Sequence, residues 1–63
     1  MKTMYYIRNT KTDQNFDPIE NKFFGSNWEP QLEDDKAYLQ HFIDNDKEKF
    51  SDCIIEEVNK EQN

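Results

Sequence analysis

A chain of 63 residues makes one domain at most, and a 60-residue domain buries only about 60% of the surface its unfolded chain exposes. Apolar residues are 33% of the composition, mean hydropathy is -1.24, and the charge is -6 from 14 Asp and Glu against 8 Lys and Arg. These values argue against a large enzyme cleft, a membrane span and direct contact with phosphate backbones, whose affinity comes largely from Lys and Arg.

Two Leu, five Ile, one Val and five Phe sit at the roughly 20% level that separates thin-cored domains from disordered chains. Nine aromatics tip the balance towards folding, since each buries on the order of 150–250 Å². Cys53 is the only cysteine, so no intrachain disulfide supports the fold, and a reducing cytoplasm is the expected compartment. Met1 to Ile7 is too short and too polar for a signal peptide.

In chain order, Met4 to Arg8 is large, aromatic or β-branched and predicts a strand, which Asn9 to Asn15 turns. Phe16 falls on a short second strand ahead of Asp17-Pro18, and Glu20-Asn21-Lys22 supplies another turn. Phe23-Phe24-Gly25 predicts a third short strand or an aromatic-anchored loop, with Gly25 able to supply positive φ. A helix over about 34–47 follows, capped by Asp34 or Asp35. Its apolar face is Ala37, Tyr38, Leu39, Phe42 and Ile43, and Lys36, Gln40, Asp44 and Lys47 form the solvated side. Cys53 to Val58 reads as a last strand.

The expected fold class is α+β: a small antiparallel or mixed sheet of three to four short strands with one helix packed on one face. Residues 1–58 form the domain and 59–63 a frayed polar tail. The core candidates are Tyr6, Ile7, Trp28, Leu39, Phe42, Ile43, Ile54 and Val58, followed by Tyr5, Phe23 and Phe24. So thin a core makes a homodimer one way to cover more apolar surface.

No cofactor, metal or catalytic constellation is expected. One His41 and one Cys53 fall short of a zinc set. The run Asp44-Asn45-Asp46-Lys47-Glu48 has acids at the first, third and fifth positions of a calcium loop, but Lys49 stands where Gly is needed and Ile55 where a bidentate Glu is needed. A single glycine builds no phosphate loop.

Eleven of the 14 acids fall into three groups. Glu29, Glu33, Asp34 and Asp35 precede the helix and complement its dipole; Asp44, Asp46, Glu48 and Asp52 surround its C-terminus, where negative charge is unfavourable; Glu56, Glu57 and Glu61 close the chain. A local rule broken without visible gain points to function. Rows of carboxylates on a helix and its loops can imitate the charge of duplex DNA, about one per 1.7 Å of axis.

In size, acidity and aromatic content the whole chain resembles the small DNA-mimic inhibitors that bacteriophages direct against replication factors such as sliding clamps, restriction enzymes and CRISPR nucleases. The resemblance implies a non-enzymatic protein of the host cytoplasm that takes over or disarms a basic DNA-binding host protein. It implies no direct nucleic-acid or membrane contact. Asp44, Asp46, Glu48, Asp52, Glu56 and Glu57 are the expected partner-binding residues, with Phe24 and Trp28 as anchors. The alternative is a small regulatory protein-binding module held by exposed aromatics.

Overall fold

A computed structural model describes residues 2–25 and 27–60. Four strands, β1 (Lys2–Asn9), β2 (Gln14–Asp17), β3 (Lys22–Gly25) and β4 (Cys53–Lys60), and one helix, α1 (Lys36–Asn45), follow each other as β1-β2-β3-α1-β4. The sheet order is β3-β2-β1-β4, and every pairing is antiparallel. The fold is α+β, a four-stranded antiparallel sheet with one helix.

The two hairpins share one local device. In the first, the Asn9 carboxamide oxygen accepts the Lys11 and Thr12 amides, and Asp13 takes φ 59°. In the second, the Asp17 carboxylate accepts the Ile19 and Glu20 amides, and Asn21 takes φ 56°. Each loop thus opens on an Asx side chain and closes on a left-handed Asx residue, a type that tolerates this backbone. Gly25 is not the positive-φ residue that the sequence suggests; it lies in β3 opposite Gln14.

Register decides the core. Phe23, Phe16, Ile7 and Ile55 lie opposite one another across the four strands and form one rung. Side chains alternate along a strand, so this rung and its second neighbours, Tyr5 and Cys53 among them, share the face that α1 covers. Ile7, Phe16, Leu39 and Phe50 are the buried hydrophobics, with Tyr5, Phe23, Phe42, Ile43, Cys53 and Ile55 packed around them. Phe16 is the hub: its ring lies 5.1 Å from Phe23, 5.5 Å from Phe42 and 4.9 Å from Phe50, tilted or edge-on in each case, geometries that favour the aromatic quadrupole.

Several core expectations are corrected. Trp28 is 65% and Ile54 45% exposed. Ile54 loses to Ile55 because β4 pairs Ile55, not Ile54, with Ile7. Tyr6 and Val58 stand on the opposite sheet face, half-buried. Phe50, beyond the helix, is a buried core residue that the expected set lacks. On α1, Ala37 and Tyr38 are exposed, and only Leu39, Phe42 and Ile43 turn inward.

The helix is shorter than the expected 34–47, and Lys47 belongs to the turn after it. Asp35 is the N-cap, accepting the Ala37 and Tyr38 amides at 3.0 and 3.4 Å. The first helical turn carries no acid: Asp34 pairs with Lys2, and Glu33 bridges to Tyr5 through reciprocal backbone bonds of 2.7 and 2.8 Å. Of the acids assigned to the helix dipole, Asp35 alone caps the helix. Asp35→Ala is expected to cost about 1 kcal/mol, lowering the melting temperature by about 4–8 °C with a loss of helical circular dichroism. β4 runs to Lys60, so Asn59 and Lys60 pair with Thr3 and Lys2; 61–63, the rest of the expected tail, lie outside the described residues.

The link from β3 to α1 passes along the sheet face opposite the helix. There the Asn15 side-chain Nδ2 donates to the Trp28 carbonyl, and Pro30 and Leu32 line one groove with Tyr6 and Val58. Because β2 pairs only with Ile7 to Asn9, the β1 edge at Tyr5 is open on that side. Glu33 occupies it, and the chain rounds this edge to begin α1 on the other face.

Candidate functional site

The α1 C-terminus and the turn leading into β4 carry Asp44, Asp46, Glu48 and Asp52, all exposed. None forms an ion pair among the described residues; the ion pairs there are Lys2–Asp34, Arg8–Asp13 and Arg8–Glu56. Asp44 accepts from Gln40 at 3.0 Å, and Asp46 accepts the Lys49 amide at 3.1 Å. The last helical turn contains no basic residue.

Of the turn's two cations, Lys49 is drawn away from the carboxylates. Its ammonium lies 5.3 Å from the Phe16 ring and 5.5 Å from Phe50, and it donates to Asn21 at 3.4 Å. Cation–π contact with the aromatic hub holds the charge there. The turn itself is anchored to the sheet through the Asp52 carbonyl, which accepts both the amide and the hydroxyl of Thr10 at 2.9 Å. The result is a fixed, outward-facing group of carboxylates on backbone stabilised by capping and cross-strand bonds.

Glu56 and Glu57 separate. They are adjacent in β4 and therefore point to opposite faces. Glu56 accepts the Tyr6 hydroxyl at 2.8 Å and stands 3.5 Å from Arg8, whereas Glu57 is exposed on the helix side. Glu56 therefore belongs to a structural network rather than to the acidic turn. Alternation alone could have separated the two, once Cys53 to Val58 was read as a strand.

That network runs Tyr6–Glu56–Arg8–Asp13 across the open sheet face. Burial, and then the bond to Glu56, raise the Tyr6 phenol above its ordinary pKa; the bond to Asp13 raises Arg8. A phenol raised on folding stabilises the fold below its unfolded pKa near 10, and that contribution is lost as pH rises through the folded value. Tyr6→Phe is expected to cost about 1 kcal/mol at pH 7, with the difference from the parent shrinking in urea unfolding as pH rises through the raised phenol pKa.

Phe24 and Trp28 come together on this same face, ring centroids 5.9 Å apart, with the Lys22 ammonium 5.2 Å from Phe24. Phe24 is half-buried and Trp28 exposed. Beside them lies a shallow groove of about 210 Å³ lined by Tyr6, Glu29, Pro30, Leu32, Val58 and Lys60. The acids of the α1–β4 turn and the aromatic pair thus belong to different sides of the molecule, which the sequence reading did not separate.

His41 is exposed on α1. Cys53 packs beside the core, where burial first and the Asp52 charge second raise its thiol pKa; a thiol so placed is a poor nucleophile at neutral pH. No helix among the described residues is long and apolar enough to cross a membrane. No protein-family model, curated protein or solved structure matches the chain.

Proposed function

We propose that this protein is a non-enzymatic inhibitor that docks its acidic α1–β4 turn on the basic DNA-binding surface of a host DNA-processing protein and so keeps DNA out. The observation that carries the reading is the set Asp44, Asp46, Glu48 and Asp52, exposed and without an ion pair among the described residues, at a helix end where their charge works against the helix. Glu57, exposed on the helix side of β4 opposite Tyr5, is a separate carboxylate towards the other end of α1. Charge of this density steers association with a Lys- and Arg-lined groove and makes it salt-sensitive.

Affinity capture from bacterial lysate with the intact protein as bait tests this at low and high salt. Recovery of a DNA-processing protein that is released by added salt or duplex DNA supports the proposal. Recovery only of partners indifferent to both contradicts it. A second reading, a protein-binding module held by aromatics, draws on the exposure of Trp28 beside Phe24; capture that persists at high salt and is lost with Trp28→Ala favours it.

A further inference from the structure

We infer that the outer edge of β4 is a strand-addition site: it takes an extended segment of a partner protein, antiparallel to β4, with a Lys or Arg opposite Glu57. The inference is independent of the proposed inhibition, because it uses the backbone of β4 and not the carboxylates of the α1–β4 turn.

The parity of the β1–β4 ladder fixes which backbone groups face outwards. The Thr10 amide donates to the Asp52 carbonyl, and Tyr5 exchanges both of its backbone bonds with Glu33 on the other side of β1. Bonded and non-bonded pairs alternate in an antiparallel ladder, so Arg8, Tyr6 and Met4 bond to Ile54, Glu56 and Val58. The N–H and C=O groups of Ile55, Glu57 and Asn59 therefore point away from β1. Cys53 shares their direction, and its amide is taken by the Phe50 carbonyl. Among the described residues no hydrogen bond reaches the outward groups of the other three.

Proteins blunt such edges with proline, lysine, bulges or a covering segment. From Ile55 to Asn59 there is neither proline nor lysine, and the ladder runs from Cys53 to Lys60 without a bulge. β3, the other edge, is four residues long against eight in β4. The molecule closes a comparable gap of its own in the same way. The open β1 edge at Tyr5 is filled by extended chain at Glu33, through reciprocal backbone bonds of 2.7 and 2.8 Å.

Charge selects the occupant. Two copies pairing edge to edge about the middle of β4 would set Glu56 against Glu57. A one-residue shift in either direction sets Glu56 against Glu56 or Glu57 against Glu57, and like charges directly opposite destabilise a ladder. A basic strand meets the reverse situation. Glu57 is exposed and forms no ion pair among the described residues, and the Lys36 ammonium on the same side lies 6.0 Å from the Tyr5 ring. A Lys or Arg opposite Glu57 gains a cross-strand pair, and the net charge of -6 steers a basic segment in. Main-chain bonds then supply affinity and the side chains specificity.

NMR on the intact protein, titrated to about 2 mM with the terminally blocked peptide Thr-Val-Thr-Lys-Thr-Val-Thr, tests the inference. Antiparallel addition sets the peptide's Lys opposite Glu57 and a Val opposite Ile55. In the free protein the amides of Ile55, Glu57 and Asn59 should exchange with solvent faster than those of Ile54, Glu56 and Val58. With peptide, the first three should show the largest shifts, half-saturation below about 1 mM and about threefold protection at the end of the titration. Glu in place of the peptide's Lys should weaken binding about threefold, and Glu57→Lys should reverse that preference. N-methylation of the peptide's Lys, which keeps the charge and removes a ladder donor, should leave no measurable binding. No shift at 2 mM, shifts centred away from β4, equal affinity for the Lys and Glu peptides, or undiminished binding of the N-methylated peptide overturns the inference, whatever Glu57→Lys does to the fold.

Discussion

Replacing Phe16 with alanine is expected to remove about 3–5 kcal/mol of stability, which for a chain this small is most or all of it. Phe16 is 1% exposed and touches aromatic rings from β3, α1 and the α1–β4 turn, so its loss opens a cavity that no one element can collapse to fill. The ammonium of Lys49 also loses an aromatic partner, loosening the acidic turn. Phe24→Ala is the informative comparison: a phenylalanine next to the core residue Phe23 but on the open face, half-buried, where truncation costs about 1 kcal/mol. Urea unfolding followed by circular dichroism measures both. Equal losses for the two would mean that the register placing Phe16 and Phe23 inward, and Phe24 outward, is wrong.

Neutralising the turn should do the opposite, sparing the fold and weakening the interaction. Asp44→Asn, Asp46→Asn, Glu48→Gln and Asp52→Asn together keep a side-chain oxygen for Gln40 and for the Lys49 amide, the two bonds that Asp44 and Asp46 accept. Negative charge near a helix C-terminus costs about 0.3–1 kcal/mol per group, so the variant should be as stable as the parent or about 1 kcal/mol more stable. Partner affinity should fall roughly a hundredfold, about 0.7 kcal/mol for each charge, and its salt dependence should flatten. Stability and binding moving in opposite directions is the signature of charge kept for a partner. Binding that changes less than twofold would contradict that role.

The overall arrangement was legible because its signals are local. β-rich runs separated by Asx-bearing turns and one amphipathic segment with an Asp cap give three to four strands and a helix, and pairing of Lys22–Gly25 with β2 makes the open segment the fourth strand. The packing was less legible, since it depends on register. Choosing Ile55 over Ile54 requires knowing which residue faces Ile7, and adjacent β-branched residues carry no preference of their own. Phe50 lies in a polar turn with no periodicity, yet the turn folds back over β2 and β3 and buries it. Trp28 read as core on size alone, whereas the backbone holding it crosses the open face and leaves the indole in water. The acidic turn was legible as charge in an unfavourable place. The diversion of Lys49 to Phe16 and Phe50, which leaves the turn less compensated, required the folded chain.

The most direct measurement of the central claim is competition at equilibrium: the captured partner is titrated with labelled duplex DNA at fixed salt, with and without this protein. Mutually exclusive binding is predicted, the apparent DNA affinity falling in proportion to the protein added, with the four-carboxylate variant failing to compete. A ternary complex in which DNA and this protein are bound together would contradict the account.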